Sequence, residues 1–241
     1  MPQETDRIAE ELETDSIQEV GGRSYHLGRF EGVDCVLVFS HWGKVAAAIT
    51  ATTLIEHFGV DCVIFTGVAG AVSTALNIGD VVIADRLIQH DFDVSAAGIL
   101  SKYEIPFLGI SYFPVDATLV EFAKQVAEDF LSSNDHPPTP SFLRRGSVFV
   151  GTIASGDQFI ADPDKIEELR VAIPDLLCVE MEGAAVAQVC HEYGVPYLII
   201  RTISDKADHS APMDFLGFIQ NVARHYSYGI LKRLIPKLIT S

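Results

Sequence analysis

Residues 61–70 read DCVIFTGVAG. The apolar run Asp61 to Thr66 is short, rich in β-branched and aromatic residues and closed by glycines, which predicts a buried strand ending at Gly67 and Gly70. On its N-terminal side, KVAAAITATTLIEHF (Lys44 to Phe58) reads as a helix, and before that DCVLVF (Asp34 to Phe39) as another buried strand, preceded by Tyr25 to Phe30. On its C-terminal side, DVVIADRLI (Asp80 to Ile88) reads as a third buried strand. Strands alternating with helices predict an α/β fold.

The second half keeps the alternation. Pro114 to Asp129 reads as an amphipathic helix, and SSNDHPPTPS after it as a surface loop whose prolines forbid helix and ladder alike. Then come strand-like Ser147 to Ile153, a helix from Asp164 to Ala172, strand-like Leu176 to Val179, a helix from Gly183 to Tyr193, strand-like Pro196 to Ile203 and a C-terminal helix from Met213 to Leu238. No dividing linker and no internal repeat interrupts this, so one domain over residues 1–241 is expected.

Composition narrows the partners. The 241 residues are 48% apolar and 21% charged, enough to bury a large core, but 33 acids against 17 Lys and Arg leave a charge of −16. That balance disfavours nucleic acid and anionic membranes. Cys35, Cys62, Cys178 and Cys190 are far apart and lie in apolar runs, so neither a disulfide framework nor a zinc site is suggested and a reducing, cytoplasmic setting is expected. No apolar run approaches the roughly 18 residues of a spanning helix, and the acidic first twenty residues are the reverse of a signal peptide.

In open α/β sheets ligands gather beyond the carboxyl ends of strands. Four such ends carry small or polar residues: Ser40-His41-Trp42-Gly43, Gly67-Val68-Ala69-Gly70, Glu180-Met181-Glu182-Gly183 and Arg201-Thr202-Ile203-Ser204-Asp205. Each has an ordinary reading. Turn geometry accounts for the glycines, and helix capping for Glu180, Glu182 or Asp205. Core packing accounts for Phe159. Neither GVAG nor HWGK has the spacing of a dinucleotide or triphosphate loop.

Their order is more specific than any one of them. GTIASGDQFI, then CVEMEGAAVAQVCHEYGVPYLIIRTISDKAD, together with FTGVAGAV and NIGDVVIADRLIQHDFDVS, resembles the 5'-methylthioadenosine/S-adenosylhomocysteine nucleosidases of the nucleoside phosphorylase superfamily. The resemblance implies a three-layer α/β/α fold with a central mixed sheet, and hydrolysis of the N-glycosidic bond of an adenosine derivative. By resemblance, Asp205 is the acid that protonates adenine N7, held by Ser204. Such a carboxyl must keep its proton near pH 7, which a dry pocket favours.

Further roles are implied in the same way. Glu182 is the carboxylate for the ribose hydroxyls, with Met181 on the sugar face; Phe159 stacks on the purine and the Ile160 backbone reads its edge. Glu4 is the base that activates water, with Arg201 as its partner in the polar cluster. Val68, Ala69, Gly70 and Trp42 line the pocket. No cofactor or metal is implied. A homodimer is, with the segment from Val94 to Pro106 reaching the neighbouring site.

The chain also departs from the pattern. The short glycine-containing strand that usually leads into the segment matching Met1-Pro2-Gln3-Glu4 is not in this sequence, Trp42 replaces a smaller aliphatic residue, and Val68 replaces the serine of GSAG. Ala97 and Ile99 stand where aromatics are frequent. Phe65 and Val68 occupy the positions at which phosphorylase relatives hold phosphate with Arg and Ser, which implies water as the nucleophile. Two other readings stay open: an aminofutalosine-type nucleosidase, and a non-catalytic nucleoside-binding or storage relative. Cleavage assays on three 5'-substituted adenosines separate them.

Overall fold

The computed structural model describes the backbone of residues 2–133, 146–206 and 223–238, with side chains from residue 7 onward. The elements are α1 (Pro2–Glu11), β1 (Glu13–Val20), β2 (Arg23–Phe30), β3 (Val33–Leu37), α2 (Lys44–Glu56), β4 (Val63–Ala71), β5 (Val81–Gln89), β6 (Tyr112–Pro114), α3 (Ala117–Ser132), β7 (Val148–Ser155), α4 (Pro163–Ala172), β8 (Leu176–Glu180), α5 (Gly183–Tyr193), β9 (Tyr197–Asp205) and α6 (Arg224–Leu238).

Local chemistry sets several boundaries. α3 begins at Ala117 and not at Pro114, because Asp116 is its N-cap and accepts hydrogen bonds from the amides of Thr118 (2.9 Å) and Leu119 (3.0 Å). α4 is capped by Asp162 with Pro163 in its first turn. α5 ends at Gly194, whose φ of +67° is the left-handed turn that closes a helix.

β1, β2 and β3 form a three-stranded antiparallel sheet; β6-β5-β7-β8-β4-β9 form a six-stranded mixed sheet. β5, β7 and β8 are parallel neighbours, as are β4 and β9, whereas β4–β8 and β5–β6 are antiparallel. Val81–Ile83 also pair antiparallel with Thr202–Ile200, so the large sheet closes on itself through β5 and β9. α5 packs on β5 and β7 and carries α2; α3 packs on β5 and β7 and carries α6, which in turn touches α1. The expected mixed sheet with flanking helices is therefore present. Its closure was not legible, because periodicity reports burial and not pairing partners.

Several expectations are corrected. The strand begun at Asp61 does not stop at Gly67: β4 runs through both glycines to Ala71, kept extended by its parallel ladder to β9. The DCVLVF strand is shorter, ends at Leu37 and belongs to the small sheet, where it is only partly buried. Neither α1 nor β1 was expected: β1 is polar and exposed along its length, and the apolar face of α1 amounts to little more than Ile8 with Leu12 just beyond the helix. The C-terminal helix is described from Arg224 onward, and the part expected from Met213 to Val222 lies outside the described residues, as does most of the proline-rich loop.

One feature of β4 bears on the site. The Val63 amide bonds to Pro196 on the β9 side, and strand alternation then turns the N–H and C=O of Ile64, Thr66 and Val68 the other way. Among the described residues no strand pairs with that edge before Gly70, where β8 joins. Ile64, Thr66 and Val68 line a cavity together with Leu37 of β3, Ile8 of α1 and Leu231 of α6.

Candidate active site

The cavity has a volume of about 520 Å³ and lies at the ends of β4, β8 and β9. The β4–β9 register brings Gly67 opposite Arg201 and, past an irregularity after Ala69, Gly70 opposite Asp205. Every residue of β9 is buried. Asp205 is 3% exposed, and its Oδ2 accepts a hydrogen bond from Ser204 Oγ at 2.7 Å. The same Ser204 oxygen lies 3.4 Å from the Ala69 carbonyl, which fixes the hydroxyl between the two strands.

The two glutamates after β8 are divided between different tasks. Glu180 accepts from the Glu182 amide (3.1 Å) and, through both oxygens, from the Gly183 amide (2.9 and 2.8 Å). It also accepts from the Ser155 hydroxyl, whose oxygen in turn accepts from the Ala184 amide at 2.6 Å. Glu180 therefore satisfies the orphan amides at the start of α5. Glu182 occupies the N-cap position yet makes no side-chain cap.

The Glu182 side chain turns instead to α2, where its Oε1 accepts from the Gly43 amide at 2.8 Å. Among the described residues its Oε2 has no hydrogen-bond partner, which leaves one carboxylate oxygen on the cavity for a ligand hydroxyl. Burial, followed by the nearby Glu180 charge, pushes the Glu182 carboxyl up to about 7; the Gly43 amide opposes this only in part.

Arg201 is 1% exposed and fills the floor beside these carboxylates. Its Nη2 and Nε meet Glu180 Oε2 at 2.6 and 3.2 Å, and its Nη1 donates to the carbonyls of Phe65 and Ile200, both at 3.2 Å. The guanidinium lies 4.3 Å from the Phe65 ring centroid. A Cβ at Gly67 would come within 3.1 Å of Arg201 Nη1, so this glycine gives the guanidinium room and does not make a turn. The buried pair with Glu180 neutralises Arg201 within the protein. The helix-capping reading thus holds for Glu180 and not for Glu182, and an acid at the last position of a buried strand finds the partners it needs in Arg201 and the amides of α5.

Met181, Ile160 and Phe159 border the same cavity, with Ile160 8% and Phe159 48% exposed. Val68, Ala69, Gly70 and Trp42 line it as well, and Trp42 is 62% exposed, so it is not packed into the core. Asp205, Ser204, Glu182, Arg201, Phe159, Ile160, Met181, Val68, Ala69, Gly70 and Trp42 are thus gathered at one place. Glu4 has its backbone on α1, while its side chain lies outside the described residues. Ile8 of the same helix reaches the cavity.

The sequence pattern of the phosphorylase superfamily matches residues 1–236. A 5'-methylthioadenosine/S-adenosylhomocysteine nucleosidase of Aeromonas salmonicida is 37% identical over 236 residues, covering 97% of this chain and 95% of the relative. The chain belongs to the phosphorylase superfamily.

Solved structures of the superfamily agree. The S-adenosylhomocysteine nucleosidase of Streptococcus pyogenes, in complex with 5-methylthiotubericidin, superposes with a TM-score of 0.86 at 37% identity, covering 99% of this chain and 94% of that one. The futalosine hydrolase of Helicobacter pylori gives 0.85 at 33% identity, covering 98% and 94%. In this phosphorylase-superfamily chain the cavity therefore brings together a serine-held acid, a half-satisfied carboxylate and an exposed aromatic.

Proposed function

We propose that this protein hydrolyses the N-glycosidic bond of 5'-methylthioadenosine and S-adenosylhomocysteine, and of 5'-deoxyadenosine, releasing adenine and a 5-substituted ribose. The observation that carries this reading is the pairing of Ser204-held Asp205 with Glu182, whose Oε2 is open, across one cavity. Asp205 supplies the proton or hydrogen bond at adenine N7, improving the leaving group. Glu182 binds the ribose hydroxyls and places negative charge beside the cationic sugar, where a dry site strengthens the attraction. Phe159 stacks on the purine, the Ile160 backbone reads its edge and Met181 covers the sugar; Glu4 activates the water. Arg201 acts by holding Glu180, and through it the start of α5.

Water is the nucleophile in this reading. A phosphate dianion at β4 would meet Phe65 and Val68, while the guanidinium nearest to it is already paired with Glu180. The test is product analysis on the three nucleosides with and without inorganic phosphate. Adenine and free sugar in both conditions are expected, and a phosphate-dependent sugar 1-phosphate overturns the hydrolase reading. The futalosine hydrolase likeness favours one second reading, an aminofutalosine-type activity, in which the 5' group differs and the adenine site is shared. Preference for aminofutalosine over the thio-substituted nucleosides selects it.

The supporting context is a cytoplasmic enzyme of methionine salvage acting as a homodimer, with residues 94–106 beside the neighbouring cavity. Ile99 (82% exposed), Phe107 (fully exposed), Val45 (71%) and Trp42 (62%) supply apolar surface for such an interface.

A further inference from the structure

α2 begins without a cap of its own. Gly43, in the N-cap position with φ +87°, has no side chain to offer, so the first amides of the helix need acceptors from elsewhere. They take them from two distant carboxylates: the Gly43 amide goes to Glu182, and the Lys44 amide to Asp157 Oδ1 at 2.7 Å. Asp157 opens the stretch Asp157-Gln158-Phe159-Ile160, of which Gln158, Phe159 and Ile160 line the cavity.

The contacts of Asp157 close into a cycle. Its amide donates to Asp91 Oδ2 at 2.9 Å, Asp91 Oδ1 receives the Lys44 ammonium at 2.6 Å, and the Lys44 amide returns to Asp157. Lys44 Nζ also meets Gln89 Oε1 at 3.0 Å, and Gln89 bonds to Gln188 of α5 at 2.6 Å. Burial pushes the Asp91 carboxyl up, but the Lys44 ammonium and Asp157 amide together hold it below its ordinary value, so the cycle is charged. On its other side the loop is seated by contact: a Cβ at Gly156 would come within 2.4 Å of the His90 ring, and one at Gly43 within 2.9 Å of Asp157 Oδ1.

We propose that Asp157 is a positioning residue: with Asp91 and Lys44 it sets the purine-facing loop against the same helix terminus that anchors Glu182, and so fixes the distance between the base and sugar subsites. This rests on the nucleosidase reading above. Asp157 is exposed, and exposed substitutions usually cost little stability, so its effect on turnover can be separated from folding.

The test compares Asp157→Ala, Asp157→Asn, Asp91→Ala and the Asp157→Ala/Asp91→Ala pair by KM and kcat on methylthioadenosine, with thermal melts. Asp157→Ala should lower kcat/KM by about 10- to 100-fold, mostly through KM, because a misplacement near 1 Å is enough for a loss of that order. Asp157→Asn, whose side-chain oxygen still accepts from the Lys44 amide, should recover most of it. The double variant should lose little more than the worse single one, as members of one network do. Melting within a few degrees of wild type is expected throughout. Wild-type protein releasing adenine while Asp157→Ala keeps its KM and kcat overturns the positioning role alone, as do additive losses or an Asn variant no better than Ala. Wild-type protein that releases no adenine overturns the functional reading and this one with it.

Discussion

Asp205 is buried and Glu182 half-buried, and the two carboxyls are held in opposite ways. Asp205 has a hydroxyl donor at 2.7 Å and lies on a strand buried along its whole length, whereas Glu182 faces the cavity with one oxygen on a helix amide. Replacing Asp205 with Asn keeps the shape and removes the proton; turnover should fall by about 10² or more with the fold unchanged by circular dichroism, and activity within tenfold of wild type would reject it as the acid. Glu182 predicts a pH dependence. Its carboxyl titrates near 7 in the folded protein, so an acid limb in kcat/KM centred near pH 7 is expected, with activity rising as Glu182 ionises, and Glu182→Gln should abolish both the limb and most of the rate. The same shift acts on stability in the other sense. Between its ordinary 4.5 and about 7 the folded protein keeps a proton that the unfolded chain has lost, so without ligand the contribution of this group falls as pH rises through that window. Melts from pH 4.5 to 7.5 on wild type and Glu182→Gln, compared as a difference, isolate it.

At the scale of elements, the edge of β4 that no strand pairs with before Gly70 among the described residues is the feature with the clearest energetic meaning. Three successive outward-facing positions, Ile64, Thr66 and Val68, present backbone donors and acceptors to a cavity that Leu37 and Phe39 border from the other side. Unpaired ladder groups beside apolar surface are costly. A strand-forming extension placed ahead of Met1 is expected to seat there, raising the melting temperature by several degrees and increasing turnover; equal melting and turnover of the two forms would show that the edge is satisfied in another way. The helices and buried strands were legible because their apolar runs carry a period, and Ser204-Asp205 and Glu182 because β9 and β8 deliver them at strand ends. Gly67 was misread as a turn: a glycine required by a guanidinium from β9 looks the same in sequence as one required by a bend. The partition of Glu180 from Glu182 was hidden for a similar reason, since two acids flanking one methionine differ only in which helix end each one reaches.

Among the described residues, half of the large exposed apolar side chains lie on or beside α2 (Trp42, Val45 and Ile49) and on the segment after β5 (Ile99 and Phe107). Covering such a patch with a second copy predicts a dimer by sedimentation. Phe107→Ser with Ile99→Ser should shift it toward monomer and lower turnover if the partner completes the site; a wild-type monomer at micromolar concentration would refute the arrangement. The closure of the large sheet has a kinetic corollary. Val81 pairs with Thr202, across more than half the length of the chain, and the same late strand carries Arg201, Ser204 and Asp205. Loop-closure entropy must be met before such distant partners reward it, so the β5–β9 pairing is expected to form late in folding. A nascent chain emerging from the ribosome holds β4 and β5 without β9 to cover them, and Arg201, Ser204 and Asp205 arrive together on that late strand.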